Sequence, residues 1–319
     1  MPHAGGVGDV STSRPPGLDD HMKLASVSKA FNGAAVLAAV SQGRLGLDDT
    51  VASRLPGLPA AWGRVTVAQL LAHTSGIPDF SKSPEFQNAV RASPQSPPPP
   101  SSLLSSVAAQ PLSFDPGSRY EYSNSDNVVA ALIVEAVDGR PYASVLGARV
   151  FQPLGLPATD LPEGPGLPAP TMRGYDLSGT HPEDVTELLA GGWAWAAGGI
   201  VSTPADANRF VRAYAAGRTI APSVRGRQLR FIPGDSEPPG PGTNEAGLAI
   251  YRYTTPCGVV YGHTGNTLGY TQFAAATADG ARSATVTANA QVVPGQGPTP
   301  AFAALQEIFN RAVCAALAS

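Results

Sequence analysis

The chain has 319 residues, 43% hydrophobic and 14% charged, with 35 glycines and 32 prolines that follow no period. Such a length supports a sizeable core in one large or two ordinary domains, and excludes a collagen-like fibre, a repeat array and a disulfide-stapled miniprotein. A net charge of −3 with no basic cluster argues against nucleic acid and anionic membrane surfaces as partners, and no run of about eighteen apolar residues predicts a membrane span.

Met1 to Asp9 lacks the basic and apolar regions of a signal peptide, so either the chain is cytoplasmic or its true beginning lies upstream. Ser26 to Gln42 reads as a helix, with Phe31, Ala34, Ala35, Leu37 and Ala38 on an apolar face and Gly43 as its stop. Thr66 to His73 repeats the pattern through Val67, Leu70 and Leu71. Ser93 to Ser106 holds Pro97 to Pro100 and reads as a surface loop that cannot become helical before about Leu103. Ser123 to Gly139 and Ala143 to Phe151 are helical, the latter closed by Pro153-Leu154-Gly155. After one more helix near Ala205 to Ala216, the texture changes. Gly247–Thr254, Val259–His263, Tyr270–Thr277 and Ser283–Ala288 are β-rich and separated by turn residues, which predicts an antiparallel meander. Pro300 to Leu317 closes the chain as an amphipathic helix. Helices, then strands, then a helix predict an α+β fold and argue against a doubly wound parallel sheet.

Of the 21 cationic residues only Lys23, Lys29 and Lys82 are lysines. Lys29 falls in Ser26-Val27-Ser28-Lys29, where a serine at the first helical turn and a lysine three residues on share one face. A serine hydroxyl is a poor nucleophile without an adjacent base, and a helix N-terminus in apolar surroundings favours the neutral amine that can accept its proton. Alone the pattern is common, and an N-cap serine followed by a solvated lysine is the bland alternative.

Two further motifs follow in order: Tyr122-Ser123-Asn124 at the start of a helix and His263-Thr264-Gly265 at the end of a strand. Together the three resemble the serine β-lactamase and penicillin-binding-protein superfamily, with its S-x-x-K, Y-x-N and K/H-T-G motifs. The resemblance runs from about Gly6 to Cys314. It includes Gly43-Arg44-Leu45-Gly46-Leu47-Asp48-Asp49, Leu70-Leu71-Ala72-His73-Thr74-Ser75-Gly76, Pro153-Leu154-Gly155-Leu156 and Gly198-Gly199-Ile200-Val201-Ser202-Thr203, all similar to the class C-like branch. That branch holds secreted D-alanyl-D-alanine carboxypeptidases, class C β-lactamases and family VIII esterases; the histidine form of the third motif and the cysteines look nearest to the carboxypeptidases. The implied fold is an antiparallel sheet flanked by helices plus a mostly helical lobe: residues 1–30 and 190–319 for the sheet lobe, 31–189 for the helical one.

The resemblance implies roles. Ser26 is the nucleophile, Lys29 its proton acceptor and Tyr122 the acid/base that protonates the leaving group. Asn124 orients Lys29 and meets the substrate amide, and His263 supplies electrostatics where many relatives have lysine. The backbone N–H groups of Ser26 and Asn266 hold the oxyanion. Thr264, beside Gly265, and Trp193 line the acyl-donor side. In the carboxypeptidases an arginine and a second hydroxyl grip the terminal carboxylate. Here Tyr251 occupies the arginine position, Arg252 beside it points to the other face, and Asn266 replaces the hydroxyl. Strict D-Ala-D-Ala specificity is therefore not implied, and esters or other amides enter as substrates. His73 reads as a packed structural histidine, Trp195 as core or cleft wall. His3, His21 and His181 are too scattered for a metal site, and no cofactor is expected.

Relatives with cysteines at the positions of Cys257 and Cys314 carry a disulfide, so the resemblance implies one here, and with it an oxidising, extracytoplasmic location. It also implies an opening helix and two strands ahead of Gly6 that this chain does not contain, leaving a sheet edge unpaired. The expected protein is a monomeric serine hydrolase or acyltransferase working through acyl-Ser26 on a small peptide, ester or β-lactam, D-alanyl-D-alanine carboxypeptidase-like first. A β-lactamase-fold esterase or amide-ester transacylase is the alternative, and a non-catalytic β-lactam- or peptide-binding protein the second.

Overall fold

In the computed structural model, which describes residues 3–292 and 300–318, the chain enters through β1 (Met22–Lys23) and a 3₁₀ turn at Ala25–Val27, then continues into α1 (Ser28–Ser41). The α-helix thus starts two residues later than the sequence pattern predicts. Ala25 has a left-handed φ of 50°, which reverses the chain and delays regular helix to Ser28. α1 is buried on almost every side, so its Asn32 must be satisfied internally: its Nδ2 donates to the Asn127 carbonyl at 3.0 Å, and its Oδ1 accepts from the Tyr142 hydroxyl at 2.8 Å.

Short helices α2 (Val51–Arg54) and α3 (Val67–Leu71) are each opened by a reciprocal cap, Thr50 with Ser53 and Thr66 with Gln69. α4 (Pro84–Ala92) begins on a proline with Glu85 in its first turn, signals the apolar pattern does not reveal. The proline-rich segment is not all loop. A 3₁₀ helix starts at Pro100, not Leu103, and runs to Val107, because proline at a first turn presets φ and gives up no needed N–H. α5 (Asn124–Asp138) ends at Gly139 with φ 67°, the left-handed stop that glycine provides. α6 (Tyr142–Leu146) and α7 (Gln152–Leu154) are joined by a π turn over Gly147–Phe151, so the predicted helix is real but bulged.

β2 (Tyr175–Asp176) pairs with β3 (Glu183–Asp184), and β4 (Val201–Ser202) pairs with β1. After α8 (Pro204–Ala215) and α9 (Pro222–Gln228) come the six strands of the main sheet. These are β5 (Ile232–Pro233), β6 (Thr243–Ala246), β7 (Tyr251–Thr255), β8 (Gly258–Thr267), β9 (Tyr270–Ala276) and β10 (Ser283–Ala288). Their order is β10-β9-β8-β7-β6-β5, antiparallel throughout, with β10 at one edge. The meander is therefore longer than predicted. β5 has two residues and β6 reads Thr-Asn-Glu-Ala, so neither shows apolar alternation.

Along β9, residues alternate between two cores. Phe273 and Ala275 join Leu305, Phe309 and Val313 of the closing helix α10 (Pro300–Ala318), with Phe273 and Phe309 stacked at 4.8 Å. Ala274 and Ala276 join Phe210, Val211 and Tyr214 of α8 in the larger core. Burying each large apolar side chain contributes about 1.5–3 kcal/mol. A Cys257–Cys314 disulfide fastens α10 to the β7–β8 turn. By length and composition α10 could cross a bilayer. The sequence pattern does not predict a span because Gln306, Glu307, Asn310 and Arg311 interrupt the apolar run, and here the helix lays Leu305, Phe309 and Val313 on the sheet.

Candidate active site

A cleft of about 540 Å³ is lined by Ser26, Tyr122, Asn124, Trp193 and Asn266, with Phe80, Phe86, Val90 and Leu189 forming an apolar wall. Residues far apart in sequence meet here for local reasons. Ser26 stands in the 3₁₀ turn that the reversed Ala25 creates, Lys29 lies one turn into α1, and Asn124 opens α5. β8 reaches the same point. A Cβ placed on Gly265 would lie 2.4 Å from the Leu24 carbonyl and 3.1 Å from the Ser26 nitrogen. Only glycine lets this strand approach the nucleophile turn so closely, and Asn266 follows at the cleft wall.

Lys29 is 1% exposed. Its Nζ lies 2.9 Å from Ser26 Oγ, 2.7 Å from Asn124 Oδ1 and 2.7 Å from the Ala197 carbonyl. Burial lowers its pKa to about 7, an effect that the fields of Asp79, Glu237 and Asp126 partly oppose. The neutral amine has two N–H bonds, which match the two carbonyl-type acceptors, and its lone pair is then left for the Ser26 hydroxyl.

Tyr122 has a buried hydroxyl with no hydrogen-bond partner among the described residues. Burial holds its pKa well above the usual phenol value, with the neighbouring Ser26 hydroxyl pulling the other way. The ring is fixed from two sides: Lys29 Nζ is 4.9 Å from its centroid and the His73 ring stacks on it at 4.6 Å. His73 is buried, as its sequence context predicts. Its Nδ1 lies 3.1 Å from Asp126 Oδ2 and accepts from the Ser123 N–H at 3.3 Å. Burial pushes the His73 pKa well down and that of Asp126 well up, both towards the uncharged form, with Ser75 donating to the other carboxyl oxygen.

His263 is placed differently from the expected role. It is 1% exposed and its pKa is lowered to about 3, first by burial and then by the field of Lys29. The ring is neutral and cannot stand in for a lysine cation. Its Nε2 has no hydrogen-bond partner among the described residues and its ring meets Tyr251 edge-on at 5.0 Å. Thr264 Oγ1 donates to the Pro238 carbonyl at 2.6 Å, Tyr251 bonds the Tyr120 hydroxyl at 2.7 Å, and neither lines the cleft. Arg252 is turned away: it pairs with Glu245 and lies over the Phe231 ring at 4.8 Å. Trp193 does line the cleft, tethered through Nε1 to the Ser93 carbonyl at 3.1 Å, whereas Trp195 packs in the core beside Tyr142.

Sequence reasoning missed Asp79, Ser81, Phe86 and Glu237. Asp79 and Ser81 accept from Asn124 Nδ2 at 3.1 and 2.9 Å, which fixes the amide so that its oxygen faces Lys29. The available signal is Asp79-Phe80-Ser81 itself, where an aspartate caps a short turn. Phe86 and Glu237 have no local signal, since only tertiary packing brings them to the cleft.

The profile of the Beta-lactamase family matches residues 2–307. Among solved structures, a D-stereospecific amidohydrolase from Streptomyces sp. superposes with a TM-score of 0.78 at 32% identity, covering 86% of this chain and 84% of that one. D-amino acid amidase from Ochrobactrum anthropi SV3, complexed with L-phenylalanine, superposes with a TM-score of 0.82 at 26% identity, covering 97% and 86%. Penicillin-binding protein 4* of Bacillus subtilis (strain 168) is 30% identical over 164 residues, 49% of this chain and 34% of that protein. D-aminopeptidase of Brucella anthropi is 31% identical over 182 residues, 55% and 34%. The chain spans about a third of the length of these two curated relatives. Profile, fold and motif order agree, and the chain belongs to the beta-lactamase family of serine hydrolases.

Proposed function

We propose that the protein is a serine amidohydrolase that cleaves small amides of D-configured amino acids through an acyl-Ser26 intermediate. The observation that carries this reading is the Lys29 amine, 2.9 Å from Ser26 Oγ and with its pKa lowered to about 7. Neutral Lys29 takes the Ser26 proton as Oγ attacks the amide carbonyl. The N–H groups of Ser26 and Asn266 receive the oxyanion. Tyr122 then protonates the departing amine, and a water activated by the same pair releases the acid and regenerates Ser26. The amide-cleaving neighbours support the substrate class.

A D-alanyl-D-alanine carboxypeptidase is the second reading, favoured by the penicillin-binding relative. It is disfavoured by the cleft, because no arginine or lysine is among its described lining residues and Arg252 is engaged by Glu245. Among the described lining residues, a terminal carboxylate would therefore meet no lysine or arginine. The disulfide supports an extracytoplasmic setting for either reading.

The test is to compare turnover of D-phenylalaninamide, L-phenylalaninamide, diacetyl-Lys-D-Ala-D-Ala and a p-nitrophenyl ester, with mass spectrometry of Ser26 after a fluorophosphonate. Faster turnover of the D-amide, abolished in Ser26→Ala, supports the proposal. Preference for the tripeptide or the ester replaces it with the carboxypeptidase or esterase reading, and absence of any Ser26 adduct points to a binding protein.

A further inference from the structure

The turn after α3 holds His73 in a left-handed conformation, φ 55°, which a residue with a β-carbon adopts only at a cost and which the surrounding contacts must therefore impose. They do so from several points. Thr74 N–H reaches the Gln69 carbonyl at 2.9 Å, Gly117 N–H the Thr74 carbonyl at 2.7 Å and Ser113 N–H the Gly76 carbonyl at 2.7 Å.

Three successive residues close on the histidine held in this way. The Glu121 N–H donates to the His73 carbonyl at 2.8 Å, and the Ser123 N–H donates to His73 Nδ1 at 3.3 Å. Between them the Tyr122 ring stacks on the imidazole, with centroids 4.6 Å apart and planes 27° from parallel. His73 thus grips the backbone on both sides of Tyr122 as well as the ring. Behind the imidazole, Asp126 Oδ2 lies 3.1 Å from Nδ1, and Asp126 Oδ1 accepts from the Ser75 hydroxyl. His73, Ser75 and Asp126 are 4%, 1% and 0% exposed, so packing rather than solvent sets the place of the imidazole.

The Tyr122 hydroxyl needs such a splint. It has no hydrogen-bond partner among the described residues, so its direction is set by its ring and backbone and not at its reacting tip. Lys29 Nζ, 4.9 Å from the ring centroid, attracts the ring as a cation only while it is protonated. That attraction is missing when Lys29 is the neutral base, whereas the His73 contacts persist through every step.

We propose that His73 is a positioning residue for Tyr122, aiming the phenol at the departing amine. Tyr122 gives its proton to the leaving nitrogen as the C–N bond breaks and regains the one that Lys29 took from Ser26; His73 exchanges none. This deepens the amidohydrolase reading and rests on it.

The experiment measures kcat/KM for D-phenylalaninamide and a p-nitrophenyl ester in wild type, His73→Asn, His73→Gly, Tyr122→Phe and the double variant His73→Asn/Tyr122→Phe, with fluorophosphonate labelling of Ser26. Asparagine and glycine both tolerate the left-handed φ, and asparagine also keeps a side-chain acceptor. A misplacement of about 1 Å can cost about 10²-fold, so the amide value should fall about 10- to 100-fold in each single His73 variant. The ester value should stay within about threefold of wild type, because its leaving group needs no proton. With phenylalanine at position 122 there is no hydroxyl left to aim, and the double variant should match Tyr122→Phe on the amide within about threefold. Three results each overturn the proposal and leave the amidohydrolase reading in place: amide and ester values that fall together, a His73 variant that keeps the wild-type amide value, or a double variant that adds the full His73 loss to that of Tyr122→Phe. A wild type with no label on Ser26 overturns the amidohydrolase reading itself, and the role of His73 with it.

Discussion

Gly265→Ala tests whether β8 and the nucleophile turn together build the oxyanion site. The added methyl carbon would lie 2.4 Å from the Leu24 carbonyl oxygen and 3.1 Å from the nitrogens of Ser26 and Val27. Carbon settles against a carbonyl oxygen at about 3.3–3.6 Å, so the shortfall is about 1 Å. The turn cannot easily supply it. Leu24 donates to the Ile200 carbonyl at 2.9 Å, β1 is laddered to β4, and Lys29 is tied to Ala197. β8 must retreat, and it carries the Asn266 N–H with it. A donor set for about 2.9 Å moves to nearly 4 Å, which amounts to losing one oxyanion donor. That loss is worth about 2.7–4 kcal/mol, or 10²–10³ in kcat, with KM little altered because the contact forms in the transition state. Steady-state hydrolysis of D-phenylalaninamide and of a p-nitrophenyl ester, with thermal melts by circular dichroism, provides the readout. A variant that melts within a few degrees of wild type and retains kcat within fivefold would refute the reasoning, since β8 would then not be the strand that supplies the second donor.

Other consequences follow from the site's protonation states. With Lys29 at about pKa 7, kcat/KM rises with pH through about 7 as the amine loses its proton. His263, at about 3, contributes no limb there, so a pH profile of His263→Asn should keep the wild-type acid limb; a limb that vanishes in this variant would reassign the base. Tyr122→Phe should cut amide turnover by about 10²–10⁴ but affect a p-nitrophenyl ester much less, because its leaving group needs no proton; equal losses on both would refute leaving-group protonation. Because burial pushes the Asp126 pKa well up, towards the neutral acid, Asp126→Asn should shift the melting temperature by only a few degrees while Asp126→Ala, which orphans Ser75 and His73, costs about 1–3 kcal/mol by denaturant titration. Cys257→Ser opens a loop with a sequence separation of 57, a loss of about 4 kcal/mol on the chain-entropy account. Its melt should fall on the order of 10 °C, and an unchanged melt would contradict that account.

Much of this was legible in the sequence where function is written locally. Ser26 and Lys29 share a turn, Tyr122 and Asn124 flank a helix start, and the four predicted strands from Gly247 onward are β-rich segments separated by turn residues. The elements that escaped prediction are those whose stability is tertiary. β5 and β6 are too short or too polar to show a period, and α9 lies in a run of arginine and glutamine whose apolar face is one valine, Val224. Within the site, His263 shows the same limit. Its motif says where the side chain stands, but its charge depends on burial and on Lys29, neither of which lies in its neighbourhood of the sequence.

Electrostatics join these observations. The Lys29 pKa is lowered to about 7 and that of His263 to about 3, the His73 pKa is pushed well down and that of Asp126 well up, in each case with burial as the leading cause. An anionic transition state would gain from a cation here, yet a full charge on His263 or His73 would hold Lys29 deprotonated at lower pH and weaken its basicity as the general base. The site instead offers the oxyanion backbone dipoles, which cost no protonation change.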